Sequence, residues 1–483
     1  MRVSSSVILR FHPPSGRPVT AKILLPALAA LALAAPARAQ DTIPRDTARR
    51  DTVADPARLR DTIHLAPPPA PPTRWTDSVR GGRPTPPASR EVRRTPARRM
   101  PPSVRDTARA LRPRPSAPVR RPRLARGQER GPRICAGGDV TLGTNLDTSW
   151  VFTASARLGR RVRALPNPDS LLAPLAPLVS DADVLMLNVE SAIGRGPPSR
   201  RKCAPNSTAC FAFRSEPAAA PAMVRLAGAA ALVGNVANNH ARDAGVDGWH
   251  TTMRHLREAG ARVTGGDTLA TVVPTPRGDT VAFLGFSPWT GPDSRNIAGV
   301  RRHVARAAAR WRYVVVSVHF GREGRGAQRT FDQREIFLGE DRGNPVAFAR
   351  AAIGAGASVV FGHGPHVLRA AEWYGDGLIF YSLGNLLTYG PFTLAHPLDR
   401  GGIACADLDP RGGVASAELR STRQRPPGLV QPDPSGTAAE LVDALGLQDF
   451  PRSAARVSAD GMVARPGEGD ADTRRPPSPR RHD

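Results

Sequence analysis

Between residues 131 and 425 one pattern recurs: a continuous apolar run of strand length stops abruptly at Asp, Asn, Glu or His. Ile134–Ala136 leads into Gly137-Gly138-Asp139, and Val184–Leu187 into Asn188-Val189-Glu190. Val233–Ala237 leads into Asn238-Asn239-His240, with Asp243 three residues on. Val314–Val318 ends at His319, with Glu323 four residues later, and Val359–Phe361 ends at Gly362-His363-Gly364-Pro365-His366. Runs without a polar face belong to strands covered on both sides. Ligands of open α/β sheets collect just beyond the carboxyl ends of such strands. Any one of these ends, taken alone, reads equally well as a turn or a helix cap. Five in succession, all built from Asp, Asn, Glu and His, predict one shared site.

The residue types indicate its chemistry. Carboxylates bring charge, Asn a neutral oxygen and His a borderline-soft nitrogen, a mixture that suits Zn, Mn or Fe better than a thiolate site does. One such ion can activate water or polarise a carbonyl. Two about 3.5–4 Å apart can clamp both oxygens of a phosphoester displacement. His250 and His255 lie on a predicted helix away from the strand ends and read as ordinary surface histidines.

The surrounding chain supplies an α/β frame. Further strand-like runs are Val281–Phe286 and Leu378–Ser382. Val246, Trp249, Met253 and Leu256 mark one helix face, ending before Gly260. Asn344 and Pro345 open a second helix to Gly354, and a third lies near Ile297–Trp311. Beyond Leu378 short turns replace helices, so part of the sheet is expected to be antiparallel. Residues 131–425 are read as one folded domain.

The flanks differ. Residues 1–39 carry five basic and no acidic residues, and Ile23–Ala35 is apolar apart from Pro26. With Ala37-Arg38-Ala39 as a cleavage site, 1–39 reads as a signal peptide; an uncleaved single anchor is the alternative. No Cys follows the run, which argues against a lipoprotein. Residues 40–130 are low in complexity, with Arg-Asp-Thr repeated at 45–47, 50–52, 60–62 and 105–107 among proline clusters. They read as a disordered, partly polyproline tether. Residues 426–483 read as a mostly disordered tail, with a short helix near Thr437–Leu445. The formal charge of +26 is misleading. Residues 41–130 hold 22 Arg against nine acids, and once both N-terminal segments are subtracted the remaining chain carries only +8. The basic segment implies contact with an anionic membrane or cell surface, and no specific nucleic-acid site. Export to the periplasm or cell surface follows from this reading. Cys203 and Cys210 can close a small loop by a disulfide. Cys135 and Cys405 lie in separate strand-like runs. They pair if those strands are neighbours, and are otherwise buried thiols.

In sequence order, Gly138-Asp139-Val140-Thr141-Leu142-Gly143, Asn188-Val189-Glu190 and Ala237-Asn238-Asn239-His240 with Asp243 and Gly245 resemble motifs of the CapA (poly-γ-glutamate capsule synthesis) family. So do His319-Phe320-Gly321-Arg322-Glu323, Gly362-His363-Gly364-Pro365-His366 and Tyr381-Ser382-Leu383-Gly384-Asn385. The resemblance covers about 133–386. It implies an α/β fold, the four-layer α-β-β-α sandwich of metallophosphatases with mixed sheets. It also implies a divalent transition metal, one or two ions, held by Asp139, Glu190, Asn239, His240, His319, His363 and His366. His240 and His366 would be catalytic, and Asn188, Asp243, Glu323 and Asn385 would contact substrate or support the ligands. The chain departs from the pattern in three places. Thr141 stands where phosphatases have the His of D-x-H, Gly-Pro separates the two histidines of the fifth motif, and Gly364 replaces a histidine common in CapA-like chains. The resemblance implies a metal-dependent hydrolase or transferase of capsule assembly, acting on an anionic polymer or phosphoester and partnered by the capsule synthesis machinery. The alternative is a non-catalytic component that binds the anionic polymer.

Overall fold

The computed structural model of the protein describes residues 131–145, 166–195, 211–390 and 393–468, with a few positions between 155 and 163. The expected signal peptide, the Arg-rich tether, Cys203 and Cys210 lie outside the described residues.

In chain order the strands of the two large sheets begin with β1 (Arg133–Thr141), β2 (Val184–Val189), β3 (Ala231–Asn235) and β4 (Arg262–Thr264). They continue with β5 (Thr271–Pro274), β6 (Thr280–Phe286), β7 (Tyr313–His319) and β8 (Val359–His363). Next come β9 (Ala371–Tyr374), β10 (Gly377–Phe380), β11 (Asn385–Thr388) and β12 (Arg400–Leu408). The last are β13 (Val414–Arg425), β14 (Leu429–Pro432), β15 (Arg456–Val457) and β16 (Met462–Ala464). The first sheet has ten strands, ordered β15-β16-β13-β12-β1-β2-β3-β4, with β11 beside β1 and β14 beside β13. The second has six, ordered β9-β10-β8-β7-β6-β5. Both are mixed: β1, β2 and β3 run parallel, as do β6, β7 and β8, while β12 is antiparallel to β1 and β13 antiparallel to β12.

Period-two alternation sorts each strand's side chains into layers. Ile134, Ala136, Val184 and Met186 meet Val281, Phe283, Val315 and Phe361 in the core between the sheets. The alternate residues Cys135, Leu185 and Leu187 face helices α1 (Ala219–Ala227) and α2 (Gly245–Glu258). On the far side Leu284, Val314, Val316 and Val360 face α3 (Ile297–Ala308) and α4 (Pro345–Gly354). The result is the four-layer α-β-β-α sandwich. Asn296 and Asn344 cap α3 and α4, accepting from Gly299 N and Ala347 N at 2.9 and 3.0 Å.

Three expectations change. Val246 does not belong to the buried face of α2: it is exposed, and Thr252 joins Trp249, Met253 and Leu256 there. Residues 426–468 are not an unfolded tail. β14 and β16 extend the first sheet along β13, and α5 (Thr437–Asp449) buries Ala438, Ala439 and Val442 in the inter-sheet core. The alanines of α5 are weakly apolar one by one, so the segment looks polar in sequence until the sheet covers them. The two readings of Cys135 and Cys405 resolve to a disulfide. β1 and β12 are antiparallel neighbours in a register that sets Cys135 opposite Cys405, with Cα atoms 4.0 Å apart.

Glycine is required where β1 reaches the site. A Cβ on Gly138 would lie 2.1 Å from the carbonyl oxygen of Gly384 and 2.8 Å from that of Leu383. Both are backbone atoms and cannot swing aside. Gly138→Ala is expected to destabilise the domain by about 1–3 kcal/mol or more, read as a lower denaturant midpoint with an unchanged slope.

Candidate metal centre

The parallel strands β1, β2, β7 and β8 end together, so their last residues converge. Asp139 stands opposite Asn188 in the β1–β2 register, and His319 opposite His363 in β7–β8. Asp139 Oδ1 lies 3.9 Å from His319 Nδ1 and 3.7 Å from His363 Nδ1, and its Oδ2 lies 3.1 Å from His366 Nδ1. Glu190 Oε1 is 3.6 Å from His319 Nε2 and 3.8 Å from His366 Nε2. Asp139, Glu190 and His366 each offer a ligand atom within 4.8 Å of the others. Asp139, Glu190, His319 and His363 are essentially inaccessible, and His366 is partly open to solvent.

His366 has φ +59°, and Gly364, with φ +109°, folds against His319 and the Phe320 carbonyl, where a Cβ would lie 2.6 Å from that oxygen. The glycine in place of a third histidine therefore lets the backbone turn. The left-handed turn brings the second imidazole back over Asp139 despite the two intervening residues.

Asn188 is the hub of the polar network. Its Nδ2 donates to Asp139 Oδ1 at 2.8 Å and lies 3.0 Å from His319 Nδ1. Its Oδ1 accepts from Asn235 and Asn238, each at 3.3 Å. Asn188 thus ties the Asp139 carboxylate to the His319 imidazole. Sequence reasoning passed over Asn235, although a buried Asn inside the apolar run Ala231–Val236 is a readable anomaly. It also passed over the specific role of Asn238, which donates to the Val189 carbonyl at 2.9 Å and accepts from His240 N at 3.0 Å.

The other expected residues take distinct places. Asn239, half-buried, donates to Glu323 Oε1 at 3.4 Å. Glu323 Oε2 lies 3.9 Å from His366 Nε2, and Glu323 is ion-paired with Arg342, a buried cation not anticipated from sequence. Asn385 Oδ1 lies 2.9 Å from His366 Nδ1 and fixes the tilt of that ring. His240 Nδ1 lies 2.7 Å from Asp243 Oδ2, which also accepts from Phe213 N at 2.5 Å. The Phe213 ring packs 4.5 Å from the His240 ring. Thr141 donates its hydroxyl to the Glu190 carbonyl at 3.2 Å, so it supports the loop that carries Glu190.

Electrostatics separate these groups. Burial pushes Glu190 well above the usual carboxylate range, and the nearby Asp139 charge adds to this. Burial would raise Asp139 too, but the hydrogen bond from His366 and the neighbouring imidazoles hold it below its ordinary value. Burial lowers His319 well below its ordinary value and His363 to about 4. His366 resists its own burial because Glu190 and Asp139 face it, and it is raised to about 10.

Several atoms of this cluster have no hydrogen-bond partner although fully enclosed: both Glu190 carboxylate oxygens, His319 Nε2, and both ring nitrogens of His363. Each unsatisfied buried polar group costs about 1–3 kcal/mol. A carboxylate and neutral imidazoles with free lone pairs, gathered at one point, are the donor set a divalent transition metal requires. The residues present therefore fit such an ion.

CapA, the capsule biosynthesis protein of Bacillus anthracis, is 31% identical over 173 residues, 32% of this chain and 39% of that protein. The PGA biosynthesis protein CapA of Bacillus subtilis (strain 168) is 31% identical over 170 residues, 32% of this chain and 41% of that protein. The aligned part spans about two-fifths of these relatives' length. Among solved structures, GAP50, the anchor in the inner membrane complex of Plasmodium, aligns with a TM-score of 0.31 and 7% identity, covering 62% of this chain and 88% of that one. The NAD nucleotidase NadN of Haemophilus influenzae aligns with a TM-score of 0.28 and 11% identity, covering 65% and 62%. At those scores neither bears on the reading of this chain. The model of the bacterial capsule synthesis protein family PGA_cap matches residues 133–389, the stretch that contains every ligand described above. That match spans more than half of the 483 residues, and the chain belongs to this capsule synthesis family.

Proposed function

We propose that this protein is exported and acts in capsule or poly-γ-glutamate biosynthesis as a metal-dependent hydrolase or transferase on an anionic substrate, an acidic polymer or a phosphoester. The observation that carries the reading is the set of enclosed, unpartnered Glu190, His319 and His363 atoms beside Asp139. Asp139, Glu190, His319, His363 and His366 would hold one or two ions of Zn, Mn or Fe. Bound there, such an ion supplies an activated water or a polarised acyl or phosphoryl oxygen. His366 must give up its proton to become a ligand, so binding is expected to release protons and to weaken in acid. His240, hydrogen-bonded through Nδ1 to Asp243, would exchange a proton with the reacting group through Nε2. The Cys135–Cys405 disulfide supports the export reading, because such bonds persist in oxidising compartments.

Elemental analysis of the purified protein tests the proposal. Wild type is expected to carry about one or two transition ions per chain. His319→Ala with His363→Ala is expected to lose them, while His240→Ala keeps the metal and loses phosphodiesterase or amidase turnover by about 10²–10⁴-fold. A wild-type protein with neither metal nor turnover, yet retaining polymer, would favour a non-catalytic polymer-binding component.

A further inference from the structure

Beyond Glu323 the chain forms a short hairpin in which Ile336–Phe337 pairs with Glu340–Asp341. Its two-residue turn, Leu338-Gly339, has positive φ at both positions, 50° and 80°. Turns of this kind favour Asn and Gly, and left-handed backbone costs a residue such as leucine roughly 1–2 kcal/mol. Packing does not offset that cost, because Leu338 is 77% exposed. Ile336 and Phe331 are exposed as well, at 45% and 41%.

The hairpin is nonetheless firmly held. At its start Glu335 accepts from Arg322 N at 2.6 Å and pairs with the buried Arg369 at 2.9 Å. At its end Arg342 pairs with Glu323 and lies 4.5 Å from the Trp289 ring and 5.1 Å from the Phe337 ring. The inward side chain Phe337 is thus tied to the loop that carries Glu323, while Ile336 and Leu338 are presented outward. Strained backbone held in place by its surroundings points to a function.

The geometry points to a lipid bilayer surface as the partner, with the apolar tip of this hairpin seated among the headgroups. A stable protein interface buries about 800 Å² on each side, and three side chains around a narrow turn offer much less. A bilayer needs no matching surface, since each inserted apolar group contributes separately.

The test uses the full chain with phosphatidylglycerol–phosphatidylcholine vesicles, at low salt and at about 0.5 M NaCl, where contacts from the Arg-rich segment are screened. An environment-sensitive dye on Leu338→Cys, in a Cys203→Ser, Cys210→Ser background, is expected to shift to the blue on vesicles at both salt concentrations. This reads the hairpin itself whatever else holds the chain to the membrane. Ile336→Ser with Leu338→Asn is expected to weaken salt-resistant partitioning about tenfold. Because Asn tolerates positive φ, that variant should unfold at no lower denaturant concentration than wild type, which separates lost docking from lost folding. A dye that stays in water while the chain sediments with vesicles overturns the proposal. So does a dye shift without vesicles that follows protein concentration, which would mean the tip meets a second copy of the chain.

Discussion

Glu190→Gln is expected to strip the protein of tightly bound metal and, in the same variant, to make the metal-free protein more stable. Both effects follow from one carboxylate. Its two oxygens are enclosed without a hydrogen-bond partner, and burial together with Asp139 holds its pKa well above the ordinary 4.5. An acid with a raised folded-state pKa gives stability that is whole below its ordinary value and is lost as pH rises through the raised one. The gain from Glu190→Gln should therefore be small near pH 4 and grow toward pH 8, reaching about 1–3 kcal/mol. The amide can still donate toward His319, so the substitution leaves a satisfied group. Metal affinity should fall by at least about 10–100-fold, the loss typical of removing even a group that only supports a ligand. Denaturant melts in chelator at both pH values, with metal titration at neutral pH, provide the measurement. A residue with a purely structural role would lose stability at both pH values, and that outcome would overturn the assignment.

The second large effect concerns Cys135 and Cys405. The bond joins positions 270 residues apart. Cross-linking so long a loop restricts the unfolded chain strongly and is worth about 3–5 kcal/mol. Cys135→Ser with Cys405→Ser is expected to lower unfolding stability by that amount while leaving metal content intact, since the pair lies on the helix-facing side of β1 and the site lies beyond its end. Both sulfurs are fully buried, so a reductant should act only on molecules already opened by denaturant. A melting curve that does not change with reductant would show that the bond contributes nothing to stability.

Much of the site was legible because its signal is local. Asp139, Glu190, His319 and His363 each end an apolar run, and hydrophobic pattern alone sets where such runs stop. His366 was legible as a motif, but its return toward Asp139 depends on the left-handed turn that Gly364 permits. Asn235 and Arg342 were harder to see. One is a single polar residue within an apolar run, and the other gains its meaning only from Trp289, Phe337 and Glu323 around it. The folded stretch 426–468 was obscured by small side chains that become core only when two sheets cover them.

The sequence by itself determined the main strands, their polar ends, an α/β layered class and the mixed oxygen–nitrogen character of the candidate ligands, because periodicity and residue chemistry are properties of short segments; the four-layer arrangement was implied by the family resemblance. Only the tertiary structure decided that Cys135 faces Cys405 and that Asn188 links Asp139 to His319. Those facts depend on register between strands far apart in the chain. A shift of one residue would turn every side chain of a strand to its opposite face.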